Sequence, residues 1–276
     1  MPTLTASPLR TLFPKRKTQR RRRFTILAAD EFPPFLPKQV EQIKDPFARK
    51  LATRIERLPV KVSFSESTIM SSCVKPLVQS EQSPLVLLHG FDSSCLEWRY
   101  TYPLLEEAGL ETWAVDILGW GFSNLERLGS CDVQSKREHF YQLWKSYIKR
   151  PMTFVGPSLG AAVAVDFAVN HPEAVENLVL IDASVYAEGT GNLATLPRAA
   201  AYAGVKQKTL IIWGEDDQII SNKLGVRLHC ELPNAIIRQI PDCGHLPHVE
   251  KPDSVARLIL EFVQDYCQKE AQFVPM

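Results

Sequence analysis

Met152-Thr153-Phe154-Val155-Gly156-Pro157-Ser158-Leu159-Gly160-Ala161-Ala162-Val163-Ala164-Val165 is the stretch on which the reading of this chain turns. A short, continuously apolar run ends in Gly-x-Ser-x-Gly and passes at once into an Ala-rich helical segment, so a buried strand feeds a tight turn that feeds a helix. A serine forced into such a turn is crowded two positions to either side, where only residues without a bulky side chain fit. Gly156 and Gly160 occupy both positions. A phosphate-binding glycine turn would need a lysine and wider glycine spacing, and the stretch has neither.

Outward from this point the same alternation recurs. Pro84 to Leu88, Thr112 to Val115, Leu178 to Ile181 and Thr209 to Trp213 are further apolar runs of the kind buried on both faces. Helix-length segments lie between most of them: Trp98 to Glu107, Lys136 to Lys149 and Leu159 to Val169. Ala235 to Ile240 reads as one more strand, and Ser254 to Tyr266 as a closing helix with Val255, Leu258, Ile259 and Phe262 on one face. Ahead of the alternation, Val60 to Lys75 reads as two short strands. Pro37 to Arg57 reads as an amphipathic helix, with Ile43, Phe47, Leu51 and Ile55 spaced by four. The expectation is an α/β fold, a mostly parallel sheet of about eight strands with helices on both faces.

In such a sheet, chemistry gathers at the C-terminal ends of the strands. Serine is a poor nucleophile at neutral pH and needs a base within hydrogen-bonding reach, itself oriented by a buried acid. Gly214-Glu215-Asp216-Asp217 follows one strand and Cys243-Gly244-His245 follows the last. The order serine, acid, histidine is that of the α/β-hydrolases and differs from the chymotrypsin and subtilisin orders. Trp213-Gly214-Glu215-Asp216-Asp217 resembles the W-G-x-x-D segment of the α/β-hydrolase superfamily, and Gly244-His245 through Glu250-Lys251-Pro252 resembles its G-H-x-x-x-x-E-x-P segment. The resemblance implies Ser158 as nucleophile, His245 as base and Asp217 as acid. Asp216 is the competitor of Asp217, and His248 reads as a pocket-lining residue.

His89-Gly90-Phe91-Asp92 resembles the superfamily's H-G-x segment, implying that the N–H groups of Phe91 and Leu159 hold the oxyanion, with His89 bracing the turn. Asp116 to Ser123 resembles its D-x-x-G-x-G-x-S loop, read as architecture. His139, His171 and His229 read as surface or capping residues. No histidine pair and carboxylate stand at a metal-ligand spacing, so neither metal nor cofactor is expected.

The resemblance extends over about residues 60 to 266 and points to plant, plastid-type serine hydrolases of the epoxide-hydrolase-like and ring-cleavage-hydrolase-like subgroup. Epoxide hydrolases and dehalogenases themselves use a carboxylate nucleophile, whereas position 158 is Ser. Most relatives with this motif set insert a helical cap after the strand corresponding to Leu178 to Ile181. Here only residues 183–208 intervene, 26 in all, too few for a full cap. The cap is expected to be truncated, either as an open site for a bulky ester or as a shortened isoform.

The 276 residues are 45% hydrophobic and 23% charged, enough to bury a substantial core. Residues 1–29 hold eight Arg/Lys and no acid, so a formal net charge of +1 becomes −7 beyond them, with 24 basic against 31 acidic groups. An acidic body argues against a nucleic-acid surface, and no run of about 18 apolar residues suggests a membrane span. The basic segment, ending Ile26-Leu27-Ala28-Ala29, has the composition of a plastid transit peptide; mitochondrial targeting, or a nuclear or cytoplasmic location, is the alternative. The implied organisation is 1–29 leader, 30–59 lead-in, 60–268 hydrolase domain and 269–276 tail. Six scattered cysteines form neither a zinc pattern nor a disulfide framework. The functional expectation is a serine hydrolase for a small-molecule ester, an apolar one being favoured by likeness to plastid enzymes that cleave the phytyl ester of chlorophyll pigments. A ligand-binding or interaction role on the same fold is the alternative.

Overall fold

The computed structural model describes residues 31–124, 126, 129–185 and 204–271, with side chains as far as 264. Eight strands make one sheet: β1 (Ile55–Val60), β2 (Ile69–Val74), β3 (Leu85–Leu87), β4 (Thr112–Val115), β5 (Met152–Pro157), β6 (Val175–Ile181), β7 (Lys208–Gly214) and β8 (Ala235–Ile240). Their order across the sheet is β1-β2-β4-β3-β5-β6-β7-β8. β2 pairs antiparallel with β1 and with β4, and every pairing from β4 to β8 is parallel. This is the doubly covered α/β sheet that the alternating apolar runs predict, and β5, which carries the serine turn, lies inside it.

Among the described residues the α-helices are α1 (Pro46–Ala52), α2 (Thr101–Glu107), α3 (Val133–Leu143), α4 (Leu159–Asn170), α5 (Asn222–Glu231), α6 (Pro247–Glu250) and α7 (Pro252–Ala271). Side chains alternate across a strand, so consecutive strand residues serve opposite layers. Val86 and Phe154 join a core with Phe140 and Leu143 of α3, Ala161 and Val165 of α4, and Leu228 of α5. Leu85, Leu87 and Val155 join a second core with Leu51 of α1, Tyr102 and Leu105 of α2, and Val255 and Ile259 of α7. Phe140 stacks on Phe154 and Phe167 meets both edge-on, with ring centroids 4.6 to 5.5 Å apart, locking α3 and α4 onto β5.

The lead-in differs from the helix expected over Pro37 to Arg57. A 3-10 turn at Lys38–Gln42 is followed by extended Ile43 and Asp45, then α1, and β1 already begins at Ile55. The cause is Pro46, which disfavours helical backbone at Asp45 but suits the first position of a new helix, where Asp45 accepts the N–H of Phe47 at 2.9 Å. Phe47, expected on the apolar face, is 52% exposed. His139 also departs from expectation: it is buried, its Nε2 has no partner among the described groups, and burial pushes its imidazole down to about 4. Helical periodicity put it next to Phe140 without saying which side of α3 would face α4.

Candidate active site

β5 ends at Pro157 and α4 begins at Leu159, leaving Ser158 alone in the turn at φ 47°, ψ −115°. Only the surrounding bonds hold a non-glycine residue there. Its N–H donates to the Ile181 carbonyl at 2.8 Å, and its own carbonyl accepts from Ser184 at 3.0 Å and Ala161 at 3.1 Å. Both flanking glycines are required by contact. A Cβ on Gly156 would lie 2.3 Å from the Gly160 backbone, and one on Gly160 would lie 2.6 Å from the His89 carbonyl.

That carbonyl belongs to the turn after β3. The Ile117 N–H donates to His89 Nε2 at 3.0 Å, so the ring proton sits on Nδ1 and is given to the Gly90 carbonyl at 2.7 Å. His89 therefore braces the turn. Phe91, next along, is 72% exposed with its ring edge-on to Trp120 at 5.4 Å. Neither the Phe91 N–H nor the Leu159 N–H is engaged with a described group, and the latter is among the unpaired first N–H groups of α4.

The Asp116 loop is architectural. Its carboxylate accepts Ser72 Oγ–H, the Cys95 N–H at 2.6 Å and the Phe122 N–H at 2.8 Å. A Cβ on Gly121, which has φ +70°, would meet that carboxylate at 2.1 Å.

Beyond β7 the chain turns so that Asp217 is buried while Asp216 is exposed. Asp217 Oδ1 accepts the N–H groups of Ile219 at 2.7 Å and Ile220 at 2.9 Å, which aims Oδ2 at His245 Nδ1, 2.8 Å away. The histidine loop is fixed by Glu250, whose carboxylate takes the Gly244 N–H at 2.8 Å and the Leu246 N–H at 3.0 Å. β7 and this loop pass so closely that a Cβ on Gly214 would lie 2.1 Å from the Gly244 carbonyl. Ser158 and His245 line one open cavity of about 800 Å³ together with Gly90, Phe91, Glu97 and Ile219. A smaller cavity of about 150 Å³ is lined by Leu159, Trp120, Lys136 and Ala162 among others.

Two residues of the site lacked a motif to announce them. Asp182, just past β6 at φ 41°, is fully buried, and its Oδ1 accepts the Gly214 N–H at 2.9 Å. Burial above all pushes its carboxyl up to about 9; the Gly214 N–H pulls it down, and the Asp217 and Glu250 charges add to the rise. Its Oδ2 is buried without a hydrogen-bond partner among the described groups, an environment that favours the protonated, neutral form. Ligand atoms of Asp182, Asp217 and His245 converge within 4.8 Å. Three convergent ligand atoms could hold a cation, but a neutral acid beside a carboxylate already committed to an imidazole is suited to relaying hydrogen bonds. The second residue is Glu97. It pairs with His248, which is not a lining residue as expected but fully buried, 2.7 Å from Glu97 Oε1.

The family model described as serine aminopeptidase, S33 (Hydrolase_4), matches residues 79–201. The alpha/beta hydrolase domain-containing protein VTE7 of Arabidopsis thaliana is 48% identical over 320 residues, covering 92% of this chain and 97% of that protein. A putative lipase from Acinetobacter baumannii has a similar structure, TM-score 0.68 at 18% identity, covering 82% of this chain and 98% of that one. A meta-cleavage product hydrolase from Pseudomonas fluorescens, at TM-score 0.60 and 19% identity, covers 72% and 95% respectively. The chain belongs to the α/β-hydrolase family, and is a hydrolase. Among the described residues, no helix is long and apolar enough to cross a membrane.

Proposed function

We propose that this hydrolase is a serine esterase, cleaving an ester or similar acyl substrate through a covalent acyl-enzyme, with Ser158 as nucleophile, His245 as general base and Asp217 orienting the base. The observation that carries this is the 2.8 Å bond between His245 Nδ1 and Asp217 at the wall of the cavity that Ser158 lines. With Nδ1–H given to Asp217, Nε2 is the free lone pair of the ring. Ser158 Oγ attacks the acyl carbon as its proton passes to Nε2, and the carbonyl π pair moves onto oxygen. The N–H groups of Phe91 and Leu159 hold that oxyanion. Collapse breaks the bond to the alcohol, which takes the Nε2 proton. Water then repeats the attack on the acyl-serine, giving its proton to Nε2, and Ser158 Oγ recovers it as the acid leaves. The sum is ester plus water to acid plus alcohol, with no redox change and no cofactor.

Phe91 and Ile219, 72% and 74% exposed at the cavity rim, favour an apolar acyl or alcohol portion. The truncated cap is supported by the short β6–β7 connection and by an alignment to the Arabidopsis relative that is longer than this whole chain, which therefore lacks residues that the relative has. Residues 186–203 of that connection, and the basic leader 1–29, lie outside the described residues. The leader's composition supports plastid targeting, tested by import of a fusion carrying residues 1–29 into isolated plastids.

A fluorophosphonate probe tests the catalytic reading. Labelling of the full chain that disappears in Ser158→Ala, with turnover across a chain-length series of nitrophenyl esters, is the expected result. A folded protein that never reacts, or a Ser158→Ala variant that reacts equally, overturns it. Ligand-dependent thermal stabilisation without hydrolysis would favour the binding role.

A further inference from the structure

Between the oxyanion turn and the histidine loop lies a buried pair that the reaction itself does not use. Glu97 belongs to the 3-10 turn Cys95–Trp98, which follows the His89-Gly90-Phe91 turn, and it is 9% exposed. Both its oxygens accept the Gly90 N–H, at 3.2 and 3.1 Å, and Oε1 also lies 2.7 Å from His248 Nε2, 151 residues away in sequence. His248 sits in α6, three residues after His245, with its ring packed against Trp98 at 4.6 Å between centroids. Its carbonyl accepts Thr101 Oγ–H, and its Nδ1 has no partner among the described groups, so Glu97 is the polar anchor of the ring.

The chemistry of this arrangement is unusual for its location. A carboxylate beneath the oxyanion turn, about 3.5 Å from where a Gly90 Cβ would stand and lining the same cavity as Ser158, opposes negative charge developing above it. Such a group is tolerable only where its own charge is held by a donor, and His248 is that donor. Burial would raise the Glu97 carboxyl, yet the His248 bond and charge, with Ser93 and the Gly90 N–H, bring it down to about 2.

Resting on the serine-hydrolase reading, we infer that Glu97 and His248 are positioning residues that tie the oxyanion turn to the loop carrying His245, so that oxyanion donor and general base keep one fixed separation. Each end of the link is rigid at its far side: His89 and Trp98 brace the turn, and Glu250 clamps the loop. The Glu97–His248 bond is the strut between them. A displacement of about 1 Å at either end costs on the order of 100-fold in rate while leaving substrate contacts largely in place.

The test uses the full chain with Glu97→Ala, Glu97→Gln, His248→Ala and the double Ala variant. Hydrogen exchange by mass spectrometry reads the link without substrate. His248→Ala is expected to raise exchange across residues 89–91, and Glu97→Ala to raise it across residues 243–250, each remote from its own mutation. Glu97→Gln, which keeps the oxygen that accepts from Gly90, restores protection at 89–91. With a nitrophenyl ester, kcat falls roughly 10- to 100-fold with KM within about twofold, and the double variant is no slower than the worse single one. Unchanged exchange at the remote segment, or a double variant as slow as the product of the singles, overturns the inference. Absence of fluorophosphonate labelling in the wild-type chain would overturn the catalytic reading instead, while the exchange coupling would still report whether the strut exists.

Discussion

Asp182→Asn isolates the neutral acid behind Asp217. In the folded chain the Asp182 carboxyl is pushed up to about 9, against an ordinary value of 3.8. Between those values the native state keeps a proton that the unfolded chain has lost, so native stability falls as pH rises through the window. One retained proton corresponds to a slope of roughly 1 kcal/mol per pH unit, and so to a few kcal/mol between about pH 5 and about pH 8. Asparagine is close to isosteric: its carbonyl can accept the Gly214 N–H and its amide can donate toward Asp217, but it does not titrate. The variant should fold, and urea midpoints at a series of pH values should show the stability of wild type relative to Asp182→Asn declining steadily from mildly acid to mildly alkaline conditions. Esterase activity near neutral pH should persist, because the side chain is uncharged in both proteins. Two stability curves that run parallel with pH would mean that Asp182 ionises as an ordinary carboxylate and that the arrangement is wrong.

Asp217→Asn should lower kcat by about a thousandfold or more by disturbing the ring tautomer and orientation of His245, whereas Asp216→Asn, altering an exposed side chain, should leave ester turnover within about twofold. Gly156→Ala drives a methyl into the Gly160 backbone and should cost more than about 3 kcal/mol in chemical unfolding, or prevent folding outright. His139, its imidazole pushed down to about 4 by burial, contributes stability that is present above about pH 6.5 and lost as pH falls through about 4; His139→Leu should remove that acid-side loss in a pH series of melting temperatures. Brief alkylation of the native chain followed by peptide mapping should modify the exposed Cys131 and Cys230 and spare the buried Cys73, Cys95 and Cys243.

What the sequence made legible follows the strength of local physical signals. Apolar runs such as Phe154-Val155 and Leu178 to Ile181 have few ways to be buried except inside a covered parallel sheet, and they fall inside β5 and β6. The serine turn and the Asp217 and His245 loops stand out in the sequence because each couples a strand end to glycine. At Asp45-Pro46 helical periodicity conflicts with the backbone restriction that proline imposes on the residue before it, and the restriction prevails. Asp182 had a usable signal, an acid immediately after a buried strand, the same position that Ser158 holds after β5. Glu97 and His248 had none: their partnership depends on a turn and a loop meeting across 151 residues, which spacing along one chain does not encode.

The β6–β7 pairing has a consequence for how this molecule can vary. Its register runs unbroken from Asn177 opposite Lys208 to Ile181 opposite Ile212, so the ladder is complete whatever the length of the peptide joining the two strands. A segment can be gained or dropped at that junction without breaking one hydrogen bond between β6 and β7. The strand ends that carry Ser158, Asp217 and His245 keep their places in the sheet through any such change.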